Sequence, residues 1–79
     1  MIESINIQQV LQEGVEHHRA RRLSQAEQCY RRALEVEPNH PDGLHLLGML
    51  AEECGQHEAA IKLLDRAVSV SGRGGQPGT

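Results

Sequence analysis

The feature that most constrains this chain is a match of the sequence to itself at a fixed distance. The stretch AEQCYRRALEV, residues 26–36, returns as AIKLLDRAVSV, residues 60–70, at an offset of 34 residues. Ala26 falls on Ala60, Arg32 on Arg66, Ala33 on Ala67 and Val36 on Val70, and the same offset carries Gly14 onto Gly48. Similar pairs accompany the identities: Val10 with Leu44, Val15 with Met49, Tyr30 with Leu64, Leu34 with Val68. A periodic chain builds one local unit more than once, and stacking the copies buries the apolar face that a single unit leaves open. With 79 residues, the chain hides only about 60 % of its unfolded surface on folding, so that stacking is its main source of core.

The unit is helical. Ile7, Val10, Leu11, Gly14 and Val15 follow the i, i+3, i+4, i+7, i+8 spacing of one helix face. Ala26, Cys29, Tyr30, Ala33 and Leu34 do the same, as do Gly43, Leu46, Leu47, Leu50 and Ala51, which Cys54 extends, and then Ala60, Leu63, Leu64, Ala67 and Val68. No stretch alternates apolar and polar residues for long enough to suggest a strand. Four helices are predicted, at about 7–20, 25–36, 41–54 and 57–70. Tyr30 is the only aromatic residue, so Leu, Ala, Val and Ile must pack the interior. Local chemistry supplies the boundaries. Ser24 with Glu27 three residues later reads as a capping box before the second helix. Pro38 cannot continue that helix. Pro41 and Asp42 suit the first turn of the third, and Gly55 suits its end. From Ser71 the composition changes to SGRGGQPGT, which reads as a flexible tail or linker.

Two helices per 34 residues resembles the tetratricopeptide repeat, and the resemblance spans Ile7 to Gly72. Gly14 and Gly48 stand where the family has its early glycine. Ala26, Tyr30, Ala33 and Ala60, Leu64, Ala67 form its small–large–small set, and Pro38 is its closing proline. The departures are Val10 and Leu44 for the early aromatic, Glu13 for the leucine that is present as Leu47, His17 and Ala51 for the tyrosine, and Gly72 for the second proline. The resemblance implies an all-α fold of two tandem helix-turn-helix units, four antiparallel helices forming a fragment of a right-handed solenoid. It divides the chain into an N-terminal extension (1–6), repeat one (7–40), repeat two (41–71) and a glycine-rich tail or linker (72–79).

The family docks partners on the concave face made by the first helix of each repeat. By that resemblance the partner-binding residues here are Gln8, Leu11, Val15, His18, Asp42, His45, Met49 and Glu52. Leu11 and Val15 replace the lysine and asparagine of members that clamp a terminal carboxylate, which points instead to an apolar peptide or helix. The competing reading puts Leu11 and Val15 in the core. The two ends of the stack differ. Glu13 and His17 give the first helix a polar outer face, as expected of a terminal repeat. The last helix carries Ile61, Leu63, Leu64, Val68 and Val70 with nothing in these 79 residues after it to cover them, so either another chain or the continuation of a longer protein covers them; self-association, with a homodimer as its simplest form, is the expectation.

Other chemistries find little support. A net charge of −3 argues against nucleic-acid binding, and the Arg19, Arg21, Arg22 cluster reads as a solvated helix end. The N-terminus has neither the basic flank nor the apolar core of a signal peptide, and no apolar run approaches the roughly 20 residues of a membrane span. Together with the two cysteines, this sets a cytoplasmic expectation. Cys54, His57 and His45 offer one short ligand pair where zinc needs four convergent ligands, so neither a metal nor another cofactor is expected. Glu13 and His17 have no nucleophile or oxyanion donor beside them, and SGRGGQPGT has no strand before it and no helix after it, as a phosphate loop requires. The expected function is a protein-interaction or assembly module, not an enzyme, that docks a partner or itself. The second reading is an accessory N-terminal segment of a larger enzyme, because PNHPDGLHLLGMLAEECGQHEAAIKLLDRAV resembles repeats that precede catalytic domains, such as those of protein-modifying glycosyltransferases.

Overall fold

A computed structural model describes residues 6–75, with side chains described as far as Val70. Four α-helices follow one another: α1 (Ile7–Arg19), α2 (Leu23–Val36), α3 (Pro41–Glu53) and α4 (His57–Gly75). There is no strand among the described residues. Successive helices pack as hairpins, α1 on α2 and α3 on α4; α2 against α3 joins the hairpins, while α1 and α3 touch least.

The 34-residue offset governs the turns as well as the packing. Asn6 and His40 occupy equivalent N-caps: the Asn6 side chain accepts from the Gln9 N–H at 3.3 Å, and the His40 Nδ1 accepts from the Gly43 N–H at 3.3 Å. Each cap satisfies a donor that the first helical turn would leave unpaired. At the other ends, Arg21 (φ 65°) and Gly55 (φ 81°) adopt the left-handed conformation. The following N–H then turns back, Arg22 onto the His17 carbonyl and Gln56 onto the Ala51 carbonyl, both at 2.8 Å. This six-to-one closure is a Schellman turn.

Three sequence expectations change. α2 begins at Leu23 with Arg22 as its cap residue and no side-chain cap. The closed turn at Arg21 starts the helix early and leaves Ser24 inside its first turn, while Glu27 accepts from Arg31 Nε at 2.8 Å instead of closing a capping box. α4 runs on to Gly75, five residues past the expected end at Val70. Glycine only lowers helix stability, by about 1 kcal/mol per residue relative to alanine, and the first residue that opposes helical geometry outright is Pro77. Cys54 is exposed and caps α3 instead of extending its buried face. The N-terminal extension, apart from Asn6, and positions 76–79 of the tail lie outside the described residues.

The core centres on Leu11, Ala26, Tyr30, Ala33, Leu47 and Leu50, with Ile7, Val10, Val15, Leu23, Leu34, Leu46 and Leu63 packed against it. Two glycines set the hairpin spacing. A Cβ on Gly14 would stand 2.5 Å from Tyr30 Cε1, and one on Gly48 2.8 Å from Leu64 Cδ2. Only a residue without a side chain lets the helices of each hairpin approach this closely.

Candidate functional site

The first helices of the two hairpins, α1 and α3, flank a continuous groove made of two adjoining hollows. One, of about 350 Å³, is lined by Gln8, Leu11, Gln12, Val15, Asp42, His45 and Leu46. The other, of about 310 Å³, is lined by Val15, His18, Arg19, Arg21, Tyr30, Leu46 and Met49. Val15 and Leu46 line both, so they form the middle of the floor. Leu11 extends the apolar floor at one end and Met49 at the other. The rim is polarised: Asp42 stands at the end where both helices begin, and Arg19 and Arg21 stand where α1 ends.

The eight residues expected on the concave face divide. Gln8, Leu11, Val15, Asp42 and His45 line the first hollow; Val15, His18 and Met49 line the second. Leu11 is only 5 % exposed and belongs to the core as much as to the groove floor. Met49, 43 % exposed, is the most available apolar residue of the set. Glu52 lines neither hollow, and its carboxylate lies 3.4 Å from His57 Nδ1, towards the start of α4. Sequence reasoning passed over Gln12 and Leu46, which share an equivalent repeat position, and the arginines at the α1 end.

His18 has a second part to play. Its Nε2–H donates to Glu53 Oε1 at 2.9 Å, and its Nδ1 lies 3.3 Å from the Tyr30 hydroxyl, which donates to it in that tautomer. Arg21 Nη1 stands 3.7 Å from the same Glu53 oxygen. One chain of polar contacts thus runs from α2 through α1 to α3, behind the groove end that holds Arg19. The hydrogen bond from His18 holds the Glu53 carboxyl below its ordinary range, and the Arg21 guanidinium acts the same way. Burial pushes the Tyr30 phenol up, and the neighbouring Cys29 and Glu53 add to the effect. Tyr30 thus buries its ring in the core while its hydroxyl keeps a hydrogen-bond partner.

The residues expected on the self-association face lie on α4. Ile61 is 60 % and Val68 67 % exposed. Leu63, Leu64 and Val70 are half-buried: Leu63 packs on the core and Leu64 lies over Gly48.

The remaining polar clusters are engaged elsewhere. Arg22 Nε donates to His17 Nδ1 at 3.2 Å. Among the described residues no three His, Cys, Asp or Glu side chains converge as metal ligands. Burial, with the nearby Glu13, pushes the Cys29 thiol up, which disfavours the thiolate. No described helix is long and apolar enough to cross a membrane.

Comparison with known proteins bears on the repeat itself. No curated protein and no solved structure matches the chain. Two family models, each describing a tetratricopeptide repeat, match residues 11–40 and 29–62. The first follows α1 and α2 to the edge of α3. The second begins within α2, crosses all of α3 and enters α4, so the two overlap across the junction between the hairpins. With its two 34-residue helical hairpins, the chain belongs to the tetratricopeptide repeat family.

Proposed function

We propose that this chain is a protein-interaction module that takes a polypeptide segment along the α1–α3 groove. Repeats of this family generally mediate protein–protein interaction and are typically non-catalytic. What carries the reading here is the groove: an apolar floor of Leu11, Val15, Leu46 and Met49 between an acidic end at Asp42 and a basic end at Arg19 and Arg21. An apolar floor gives a bound segment most of its affinity, and charges at the ends set its direction. The segment that fits places an apolar side chain over Val15 and Leu46 and an acidic group towards Arg19. Glu53 partly neutralises Arg21, so Arg19 carries most of that selectivity.

The test is selection of displayed random peptides on the purified chain, followed by calorimetry on individual winners. Enriched peptides should pair an apolar residue with an acidic one. Met49→Lys and Arg19→Glu should each weaken their binding at least tenfold while helicity is kept. Leu11 is unsuitable as a test site, since a charge at a 5 % exposed position would unfold the repeat. Peptides that bind both variants as well as the parent chain would sink the reading.

A further inference from the structure

The basic end of the α1–α3 groove carries a carboxylate of its own. His18, Arg19 and Arg21 line the hollow there, and Glu53 Oε1 faces two of them, 2.9 Å from His18 Nε2 and 3.7 Å from Arg21 Nη1. The two contacts differ in kind. His18 is fully engaged: one ring nitrogen meets Glu53 and the other the Tyr30 hydroxyl, and its side chain is 16 % exposed. Arg21 is not. Its contact is too long for a hydrogen bond, and its side chain is 71 % exposed. Arg19 takes part in no ion pair among the described residues.

These contacts fix what an incoming acidic group meets. α1 ends at Arg19 and α3 at Glu53, and the last turn of each helix directs the partial negative charge of its carbonyls towards this end. Attraction for an anion therefore rests on the two arginines. Arg19 is free to supply it. Arg21 already has the negative charge of Glu53 beside it, so a second acidic group drawn to Arg21 would also approach Glu53. Repulsion between like charges offsets the gain.

We propose that Glu53 sets the specificity of this end of the groove, an assignment that rests on the groove being a peptide site. As an internal counter-anion it occupies Arg21 and restricts the groove to segments with one acidic group, which Arg19 meets. Glu53 lines neither hollow, so it acts through Arg21 and not by touching the segment. The hydrogen bond from His18 holds its carboxylate in place, while the loose pair leaves the Arg21 guanidinium available once that charge is gone. Glu53→Gln removes the charge with little else changed, because the amide oxygen can still accept from the His18 Nε2–H.

Calorimetry uses a selected peptide whose binding Met49→Lys weakens, made in two versions with glutamine or glutamate beside its acidic residue. The parent chain should bind the two alike, within about twofold, whereas Glu53→Gln should prefer the glutamate version by about fivefold. Adding Arg21→Gln to Glu53→Gln should abolish that preference. Glu52→Gln removes the same charge one residue away, from a carboxylate that faces His57, and should keep the parental pattern. Circular dichroism should show parental helicity in each variant. A parent chain that already prefers the glutamate version, a Glu53→Gln chain without the preference, or a Glu52→Gln chain that acquires it would each overturn the role of Glu53 while leaving the groove as the peptide site. If no selected peptide depends on Met49, the groove reading fails first and the role of Glu53 falls with it.

Discussion

At the residue scale, the two left-handed turns show the same backbone demand met by different amino acids. Gly55 meets it without strain, and nothing lies within 4 Å of where its Cβ would be. Substituting Gly55→Ala should therefore cost about 1 kcal/mol from backbone strain alone. Arg21 already bears that strain. Arg21→Gly should be more stable than Arg21→Ala by about 1 kcal/mol, a comparison that removes the Glu53 ion pair from both sides; equal urea midpoints would refute it. The buried glycines are limited by space, not by backbone angle. At Gly14→Ala the new methyl meets the fully buried Tyr30 ring, which has nowhere to move. A net loss of about 1–3 kcal/mol is expected despite the gain in helix propensity. At Gly48→Ala it meets Leu64, a half-buried side chain. Its Cγ as well as its Cδ2 would stand 2.8 Å away, so the side chain must shift, and the change should cost less than Gly14→Ala without being free. Both glycines and the 34-residue pairing of positions 21 and 55 are visible in the sequence. The strain at Arg21 went unnoticed because pattern reading looks for glycine, not for the position equivalent to a glycine.

Among the elements, α3 does most to make one molecule of two hairpins. It is capped by His40, opened by Pro41 and linked to α1 and α2 through Glu53, His18 and Tyr30. Helical periodicity was enough to place α3 and its apolar side, since spacing reports which residues share a face. Periodicity is silent on which polar residues meet across 35 positions of sequence, so the His18–Glu53 contact could only emerge from the packed structure. Reading a capping box at Ser24 and Glu27 misplaced the start of α2, because that local cap lost to the turn closed by Arg22. The contact has a pH signature. Because Glu53 titrates below its ordinary value of 4.5 when folded, its contribution is present above that value and disappears as the pH falls through the depressed one. The thermal midpoint of the parent chain should drop across this acidic window, and Glu53→Gln should lower stability above it while flattening the drop. Because Glu53 is well exposed, the effect should be small, on the scale of a surface pair. A parallel pH profile in the variant would remove Glu53 from the account.

For the whole molecule, the question is whether the hairpins fold separately or together. In a stack, stability is the sum of what each repeat contributes and what adjacent repeats contribute at their junction. The second hairpin buries Leu44, Ala60 and Ala67 itself, but the largest cluster is shared. Leu47 and Leu50 of the second complete a cluster with Leu11, Ala26, Tyr30 and Ala33 of the first, and Arg66 of α4 donates to the Pro38 carbonyl and Asn39 Oδ1 in the connecting loop, both at 3.1 Å. A domain of this size commonly has only about 5–10 kcal/mol of stability in total. Leu50, 2 % exposed, sits in the shared cluster, and Leu50→Ala should cost about 2–4 kcal/mol. The loss should fall on both repeats at once. Tyr30 fluorescence reports the first hairpin and its junction with the second, because Tyr30 is the only tyrosine and there is no tryptophan, whereas far-ultraviolet circular dichroism reports all four helices. In urea the two signals should share one midpoint in the parent chain and shift together in Leu50→Ala. A Tyr30 transition that stays in place while the helical signal falls early would mean that the first hairpin stands alone and that the junction contributes little to its stability.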